Sequence, residues 1–230
     1  MWSDSSSWRV IVTGGSSGLG AAVCAALRRH SAAVVSIDRQ NSAATATIVA
    51  DLSDSAAAEQ ATITAIEQLE GIDAVVCCAG TDVPGALDSV DRRTWDRIVM
   101  VNLLGTAAVV RAAMPGLKAS HGRVVTVAST LGHRAVGDAT AYCASKFGVV
   151  GFTRALAAES KGEVGVTLLT PGGMHTAFFD DRDDRYKPGP DAVLADPADI
   201  AEAVVWTLCR PAGVEVREMV IMSPVEQSWP

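Results

Sequence analysis

Short apolar segments alternate with helical patterns along the whole sequence. Seven runs rich in β-branched residues predict strands, at 9–12, 33–37, 47–49, 74–78, 123–127, 164–169 and 219–222. Five longer segments have helical periodicity, at 17–29, 55–69, 94–117, 140–160 and 197–209. The strands are continuously hydrophobic, which is typical of strands covered on both faces. The sequence therefore predicts an α/β fold, a doubly wound parallel sheet of about seven strands built from right-handed βαβ units.

Size and charge limit the classes of protein that the chain can belong to. Its 230 residues, 49% of them apolar, predict a single domain over residues 1–230 with one sizeable core. The formal net charge of −7 argues against a nucleic-acid partner, which requires a dense basic patch. The amino-terminal segment has no signal-peptide pattern, and we find no apolar run of membrane-spanning length. We therefore expect a cytoplasmic protein with no membrane partner.

The five cysteines are Cys24, Cys77, Cys78, Cys143 and Cys209. Their number is odd, and their spacing resembles neither a metal-binding motif nor a disulfide framework. Cys77 and Cys78 are adjacent within an apolar run, which favours small buried residues. The sequence thus predicts no metal site.

A glycine-rich segment, TGGSSGLG, joins the first predicted strand to the first predicted helix. Gly14, Gly18 and Gly20 allow a tight turn and a close approach to a pyrophosphate, which the helix amino terminus attracts. Asp38 ends the second strand, where dinucleotide-binding folds place a carboxylate for the ribose hydroxyls. Because a carboxylate repels a 2′-phosphate, we expect NAD to be the cofactor, with NADP as the alternative. Arg39, the next residue, is the one feature that favours NADP.

Tyr142 and Lys146 are four residues apart in YCASK, and Ser129 lies thirteen residues before the tyrosine. A spacing of four places both side chains on one helix face. The ammonium is expected to favour the phenolate and to lower the pKa of Tyr142 from its usual value of about 10. Ser129 then holds a carbonyl oxygen while the phenol transfers the proton. In the other interpretation, these are exposed helix residues and a serine in a turn.

Five motifs, TGGSSGLG, VNLLG, VASTLG, YCASK and TPGGMHT, resemble the short-chain dehydrogenase/reductase family in order and spacing. The resemblance covers essentially the whole chain and implies a Rossmann fold and an NAD(P)-dependent oxidoreductase. It implies that Tyr142 is the acid/base and that Lys146 is its partner at the nicotinamide ribose. It also implies that Ser129 orients the substrate oxygen and that Asn102 holds a proton-relay water. Cys77-Cys78 and Thr170 depart from the family's usual asparagines.

The resemblance also implies a set of cofactor-binding residues. Asp51 is similar to the acid that contacts adenine, and Thr176 to the residue near the carboxamide. The full predicted set is Gly14, Ser16, Ser17, Gly18, Leu19, Asp38, Arg39, Asp51, Leu52, Ala79, Gly80, Tyr142, Lys146, Pro171, Gly172, Met174 and Thr176.

A charged segment interrupted by proline and glycine follows the last motif. It predicts a substrate lid loop at 174–190, since long loops in compact domains are usually functional. Leu131, Met174, Phe178 and Phe179 are expected to line an apolar pocket. His133 and Arg134 either recognise a substrate carboxylate or carbonyl or belong to a solvent-facing loop.

The substrate is expected to be a small carbonyl compound or a secondary alcohol. One alternative is a 3-oxoacyl thioester of a carrier protein or coenzyme A, although Lys118, His121 and Arg123 form only a thin basic patch for docking. The other is a non-catalytic dinucleotide-binding sensor or scaffold. The apolar helices at 94–117 and 140–160 match those that build a two-fold interface in the resembling family, so we expect a homodimer or homotetramer.

Overall fold

The structure is a computed structural model that describes residues 8–42 and 45–229. Its strands form one parallel sheet with the order β3-β2-β1-β4-β5-β6-β7. The strands are β1 (Arg9–Thr13), β2 (Ala33–Asp38), β3 (Ala46–Val49), β4 (Ala74–Cys77), β5 (Arg123–Val127), β6 (Gly165–Pro171) and β7 (Glu218–Ile221). Every predicted strand is present within about two residues of its predicted bounds. The predicted doubly wound α/β sheet is confirmed.

Helices cover both faces of the sheet. They are α1 (Gly18–Arg29), α2 (Ser55–Gln68), α3 (Arg92–Val99), α4 (Thr106–Ser120), α5 (Thr140–Ser160) and α6 (Pro197–Leu208). In β1, Ile11 packs in the core formed with α2, α4 and α5, whereas Val10 and Val12 pack in the core formed with α1 and α6. Successive side chains of a strand point to opposite faces, so the uninterrupted apolar sequence of β1 follows from burial on both sides.

The sheet order reverses between β1 and β4, whose carboxyl ends lie side by side. Thr13 pairs with Cys77 in register, and the Thr13 hydroxyl accepts a hydrogen bond from the Ala79 amide at 3.1 Å. The chain leaves these two strands in opposite directions, which opens a crevice at their carboxyl ends. Open α/β sheets bind ligands in such crevices.

The predicted helix at 94–117 is longer and less regular than expected. A π-helical segment, Met100–Gly105, separates α3 from α4 and contains Asn102. A Cβ on Gly105 would lie 2.5 Å from the Leu52 carbonyl oxygen, so a glycine is needed where this segment meets the loop after β3. The hydrogen bonds of a π-helix span one residue more than those of an α-helix, and hydrophobic periodicity alone does not reveal this difference. Such segments often occur at functional sites.

The continuous helix over residues 92–120 also corrects our expectation about apolar length. By length and composition it is sufficient to cross a membrane, with a mean hydropathy of 1.6 over its most apolar window. Half of that window is buried inside the protein, where Ala108, Val109 and Leu117 pack in the core. Burial in the fold therefore accounts for part of the hydropathy of this helix.

Large apolar side chains remain exposed on the helices that were predicted to mediate self-association. Met100 and Leu104 lie on the π-segment and Phe147 lies on α5, and each is at least two-fifths exposed. Association through these helices stays a prediction.

Candidate active site

A cleft of about 1500 Å³ opens at the carboxyl ends of the central strands. It contains residues from the glycine-rich loop, from the ends of β2, β4, β5 and β6, and from the start of α5. Sixteen of the seventeen predicted cofactor-binding residues line it, the exception being Ser16. The motifs that are dispersed in the sequence therefore meet at one site.

The glycine-rich loop leaves no room for side chains at two positions. Gly14 has a φ of +72°, and a Cβ there would lie 2.9 Å from the backbone of Ala79. A Cβ on Gly20 would lie 2.1 Å from the Gly14 carbonyl oxygen. The loop thus folds back on the first turn of α1 and exposes its backbone to the cleft.

The amino terminus of α1 lacks the side-chain cap that three other helices have. Asp54, Asp91 and Asp196 cap α2, α3 and α6, each accepting a hydrogen bond from a first-turn amide. Ser17, which precedes α1, makes no such side-chain bond. The first-turn amides of α1 therefore remain available at the cleft, which suits a phosphate group.

Asp38 ends β2 beside this loop, as predicted. One of its oxygens, Oδ2, accepts a hydrogen bond from the Ser16 amide at 3.0 Å, and Oδ1 accepts one from the Gln40 amide. Ser16 therefore fixes the loop to Asp38 through its backbone and does not line the cleft. Arg39 is exposed at the cleft margin.

Asp51 reaches the cleft from the loop after β3. Burial raises the pKa of this carboxyl, but hydrogen bonds from Ser53 and from the Arg97 guanidinium outweigh it and lower the pKa to about 2. Arg97 contacts both carboxylate oxygens, at 3.1 and 2.9 Å. The carboxylate is thus ionised and held in one orientation at the margin of the cleft.

Tyr142, Lys146 and Ser129 come together as the spacing predicted. All three line the cleft, and Lys146 Nζ lies 5.6 Å from the centre of the Tyr142 ring. Lys146 is buried and donates a hydrogen bond to the Val127 carbonyl at 2.9 Å, which attaches α5 to the end of β5. Ser129 follows β5 and presents its hydroxyl beside the phenol.

The pKa of Tyr142 does not follow our expectation. Tyr142 is half-buried in the wall of the cleft, and the loss of hydration there raises its pKa to about 12, although the hydrogen bond with Ser129 acts in the opposite direction. Lys146 does not reverse this effect because its ammonium is directed at the Val127 carbonyl. The expected lowering is therefore wrong for the protein without cofactor, in which the phenol is protonated at neutral pH.

Burial lowers the pKa of Lys146 to about 8. Cys78, Cys77 and Asp82 act in the opposite direction, because they favour the charged form of the lysine. The unfolded chain keeps the usual lysine pKa, so between about pH 8 and 10.5 it binds a proton that the folded protein lacks. This group therefore makes the protein more stable as pH rises through that window.

Lys146→Met tests this linkage, since methionine keeps the apolar stem without the charge. The compared quantity is the difference in the free energy of unfolding, wild type minus variant. We expect this difference to increase by about 3 kcal/mol between pH 8 and 10.5. Urea unfolding of both proteins at several pH values measures this difference. A difference that is constant with pH would show that Lys146 titrates normally.

Asn102 is buried behind the cleft instead of lining it. Its amide nitrogen donates to the Thr81 carbonyl at 2.9 Å and to the Ser145 hydroxyl at 3.0 Å, and its oxygen accepts from the Thr81 amide at 2.8 Å. Ser145 in turn donates to the Tyr142 carbonyl at 2.8 Å. The Asn102 side chain thus links the loop after β4 to the helix that carries the tyrosine.

The loop predicted as a lid contributes residues to the wall of the cleft, and closure over a ligand stays a prediction. Phe178 and Phe179 line the cleft together with Leu131 and Met174, as the sequence predicted. The Phe178 and Tyr142 ring centres are 5.9 Å apart. Tyr186 donates a hydrogen bond to Asp138 at 2.8 Å, which holds the far end of the loop.

An ion pair in the wall of the cleft escaped the sequence analysis. Arg182, from the loop, contacts Asp82 at 2.8 Å, and the two side chains are only 14% and 5% exposed. Asp82 follows Ala79-Gly80 by two residues. This position beside the predicted cofactor site is the feature of the sequence that could have identified Asp82 as a site residue. Arg182 is enclosed by four aspartates in the sequence, which gave it the pattern of a solvated charged loop.

His133 and Arg134 do not line the cleft. The His133 ring bonds to the Thr170 hydroxyl at 3.1 Å and packs on Trp229, and Arg134 donates to the Gln227 carbonyl at 2.9 Å. Both residues hold the carboxyl-terminal segment. Arg134 is exposed, as the interpretation of a solvent-facing loop predicted, whereas His133 is half-buried.

The carboxyl-terminal segment forms a further wall of the cleft that was not predicted. Glu226 accepts a hydrogen bond from the Gly173 amide at 2.8 Å, and the Ser228 and Thr130 hydroxyls are 2.7 Å apart. Glu226 and Ser228 both line the cleft. The segment thus holds the loop after β6 against the loop after β5.

The cysteines are isolated thiols in the described part of the chain. Cys77 is buried, and burial raises its pKa to about 12. Among residues 8–42 and 45–229, no three histidine, cysteine or acidic side chains are grouped so that they would hold a metal ion.

A family model described as short chain dehydrogenase matches residues 9–187. The chain belongs to the short-chain dehydrogenase family. Its relatives include an uncharacterized oxidoreductase of Staphylococcus aureus, 31% identical over 224 residues that cover 92% of this chain and 95% of the relative. Glycine betaine reductase of Emericella nidulans is 31% identical over 92% of this chain, but the match spans only 18% of that longer protein.

Solved structures show the same fold. An alcohol dehydrogenase from the archaeon Thermococcus sibiricus, complexed with 5-hydroxy-NADP, aligns with a TM-score of 0.84 and 25% identity, over 96% of this chain and 98% of that one. A 3-ketoacyl-(acyl-carrier-protein) reductase from Brucella melitensis, complexed with NADH, aligns with a TM-score of 0.82 and 25% identity, over 94% and 96% of the two chains. This short-chain dehydrogenase is thus an oxidoreductase of a family that binds nicotinamide dinucleotides.

Proposed function

We propose that this protein transfers a hydride between NAD and a carbonyl compound or secondary alcohol, with Tyr142 as the acid/base. One observation carries the proposal: the phenol of Tyr142, beside Ser129 and Lys146, faces the same cleft as the uncapped amino terminus of α1. A nucleotide held at α1 would share this cleft with the tyrosine. The cofactor end of the cleft at α1 and the proton-transfer end at Tyr142 would then take part in one reaction.

The residues present fit a nicotinamide dinucleotide. The glycine loop and the free amides of α1 suit the pyrophosphate, and Asp38 suits the adenosine ribose. A Cβ on Gly80 would lie 3.7 Å from Lys146 Nζ, so Gly80 leaves the approach to that ammonium open. When bound, the cofactor supplies the hydride exchange.

The side chains of this protein handle the proton and the substrate oxygen. Ser129 donates a hydrogen bond to that oxygen, and Tyr142 gives its proton to the oxygen in reduction or takes one in oxidation. Because the pKa of Tyr142 is about 12, the phenol is protonated at neutral pH and is ready to donate, which suits carbonyl reduction. Lys146 stabilises the phenolate once the proton has left.

The preference for NAD rests on the carboxylate of Asp38. It accepts hydrogen bonds from two ribose hydroxyls and repels a 2′-phosphate at the same position. Asp38→Asn removes the charge and keeps an amide oxygen that accepts from the Ser16 amide, although the bond from the Gln40 amide is lost. We expect the wild type to bind NADH more tightly than NADPH, and the substitution to reduce this preference about tenfold, which is about 1.4 kcal/mol.

Calorimetric titration of both proteins with both cofactors measures the preference. Asp54→Asn is a matched control because it changes a carboxylate that caps α2 outside the cleft. Tighter binding of NADPH by the wild type would show that Arg39 dominates over Asp38.

An activity screen tests the proposed function as a whole. Purified protein is assayed with NADH and NADPH against ketones, aldehydes and acyl thioesters, and with the oxidised cofactors against secondary alcohols. We expect turnover of a ketone or alcohol with NAD(H). Tight NADH binding without turnover of any member would instead favour a non-catalytic sensor or scaffold.

Reduction of 3-oxoacyl thioesters is the second candidate activity. The likeness to the Brucella melitensis reductase favours it. The thin basic patch does not, because Lys118 pairs with Glu163 at 3.0 Å and Arg123 donates to the Arg210 carbonyl at 2.7 Å. The Glu163 carboxylate offsets the charge of Lys118, and the Arg123 guanidinium is held against a backbone carbonyl, so few basic side chains are available to dock an acidic carrier protein.

A further inference from the structure

The ion pair between Asp82 and Arg182 has no part in the hydride and proton transfers proposed above. Both residues line the cleft, and their side chains are 5% and 14% exposed. One comes from the loop after β4 and the other from the loop over the cleft. Two charges are thus buried in the wall of the pocket that receives the substrate.

Each member of the pair has one atom without a hydrogen-bond partner. Within residues 8–42 and 45–229, the Asp82 Oδ1 acceptor and the Arg182 Nε donor are both buried and unbonded. Buried polar groups in native proteins are almost always satisfied, because an unpaired one loses its hydration without compensation. The other oxygen of Asp82 and the Nη2 of Arg182 are 2.8 Å apart, so the unbonded acceptor and donor belong to one ion pair and indicate a polar group that bonds to both.

The ion pair lies near the Tyr142 phenol. Asp82 raises the pKa of Tyr142 and Arg182 lowers it, so both charges act on the phenol. The Phe178 ring centre is 5.9 Å from that of Tyr142, and the ring lies 4.8 Å from the Arg182 guanidinium. One aromatic side chain therefore contacts both the tyrosine and the guanidinium.

The charge of the pair restricts the chemistry of the group that fits. A carboxylate would face the negative charge of Asp82, and an ammonium would face the positive charge of Arg182. A hydroxyl group donates to Oδ1 and accepts from Nε, and it leaves the ion pair intact. Breaking a buried pair instead leaves an uncompensated charge.

We propose that Asp82 and Arg182 bind a hydroxyl group next to the reacting carbon of the substrate, so that the substrates are α-hydroxyketones and vicinal diols. This inference rests on the proposed function, since it places the second hydroxyl relative to the carbonyl that Tyr142 protonates. Phe178 and Phe179, both within 5 Å of the guanidinium, cover the apolar side of the same pocket.

Matched sets of ketones test the proposal. Each set has one carbon skeleton in three forms: the plain ketone, the α-hydroxyketone and the 2-oxo acid. We expect kcat/KM for the hydroxyketone to exceed that of both other members at least about tenfold, because a site built to bond a hydroxyl discriminates against analogues without it. This comparison of substrates requires only the wild-type protein.

Two variants assign the preference to the ion pair. The double substitution Asp82→Leu with Arg182→Leu removes both charges together, and we expect the ratio of kcat/KM between hydroxyketone and plain ketone to fall to near one. Asp180→Asn is the matched control on the same loop, since Asp180 is exposed and does not line the cleft. We expect it to keep the wild-type ratio.

The outcomes separate this inference from the proposed function. Turnover without a preference for the hydroxyketone, or with a preference for the 2-oxo acid, would overturn the inference and leave the function standing. An unchanged ratio in the double variant would also overturn it. Absence of turnover with every set and both cofactors would overturn the two together.

Discussion

Tyr142→Phe is expected to lower kcat by about 10²- to 10⁴-fold while the affinity for NADH stays near that of the wild type. The substitution removes only the phenolic oxygen, which is the group that transfers the proton. The ring remains in place against Phe178, and the hydrogen bonds of Lys146 and Ser145 that fix α5 do not involve the hydroxyl. Steady-state kinetics on the best substrate, with calorimetric titration of NADH, measures both quantities.

The second tyrosine of the sequence provides the control. Tyr186 also lines the cleft, and its hydroxyl bonds to Asp138 on the far side of the loop. Tyr186→Phe removes a similar hydroxyl, and we expect it to change kcat far less than Tyr142→Phe. Equal losses in the two variants would show that the phenol of Tyr142 has no special part in the chemistry.

Gly20→Ala is expected to abolish measurable cofactor binding and to destabilise the fold. The added Cβ would lie 2.1 Å from the Gly14 carbonyl oxygen and 2.6 Å from its carbon, and neither backbone atom can move without displacing the loop. Overpacking of this kind costs about 1–3 kcal/mol or more. We expect the affinity for NADH to fall at least about 100-fold, because the loop amides no longer meet the pyrophosphate.

Gly151→Ala is the matched control for this effect. Gly151 lies within α5, and a Cβ there would have nothing within 4 Å. We expect unchanged NADH affinity and a gain in stability of about 0.5–1 kcal/mol, since alanine favours helix over glycine. Urea unfolding and calorimetric titration measure both variants. Wild-type affinity in Gly20→Ala would contradict the assignment of this loop to the pyrophosphate.

The sheet was predictable because each strand is buried on both faces and is therefore continuously apolar. The edge strand β3 is short and partly exposed, yet Thr47, Ile48 and Val49 still marked it. The meeting of Tyr142, Lys146 and Ser129 was predictable because helix spacing and the end of a parallel strand fix their positions. Such local rules do not depend on the packing of distant segments.

Other features of the site depend on packing that the sequence pattern does not contain. The π-segment at Asn102 arises where Gly105 meets the Leu52 carbonyl, a contact between residues far apart in the chain. The pairing of Asp82 with Arg182 joins residues one hundred positions apart. The raised pKa of Tyr142 follows from its burial, which spacing alone does not reveal.

Isotope transfer tests whether the protein moves a hydride from the nicotinamide to the substrate carbon. The protein is incubated with a ketone substrate from the screen and with NADH deuterated at the transferable position of the nicotinamide, and the alcohol product is analysed by mass spectrometry. We expect one deuterium on the carbinol carbon of the product, and a much slower rate of transfer with Tyr142→Phe. Product that carries no deuterium, or an unchanged rate in the variant, would contradict the account.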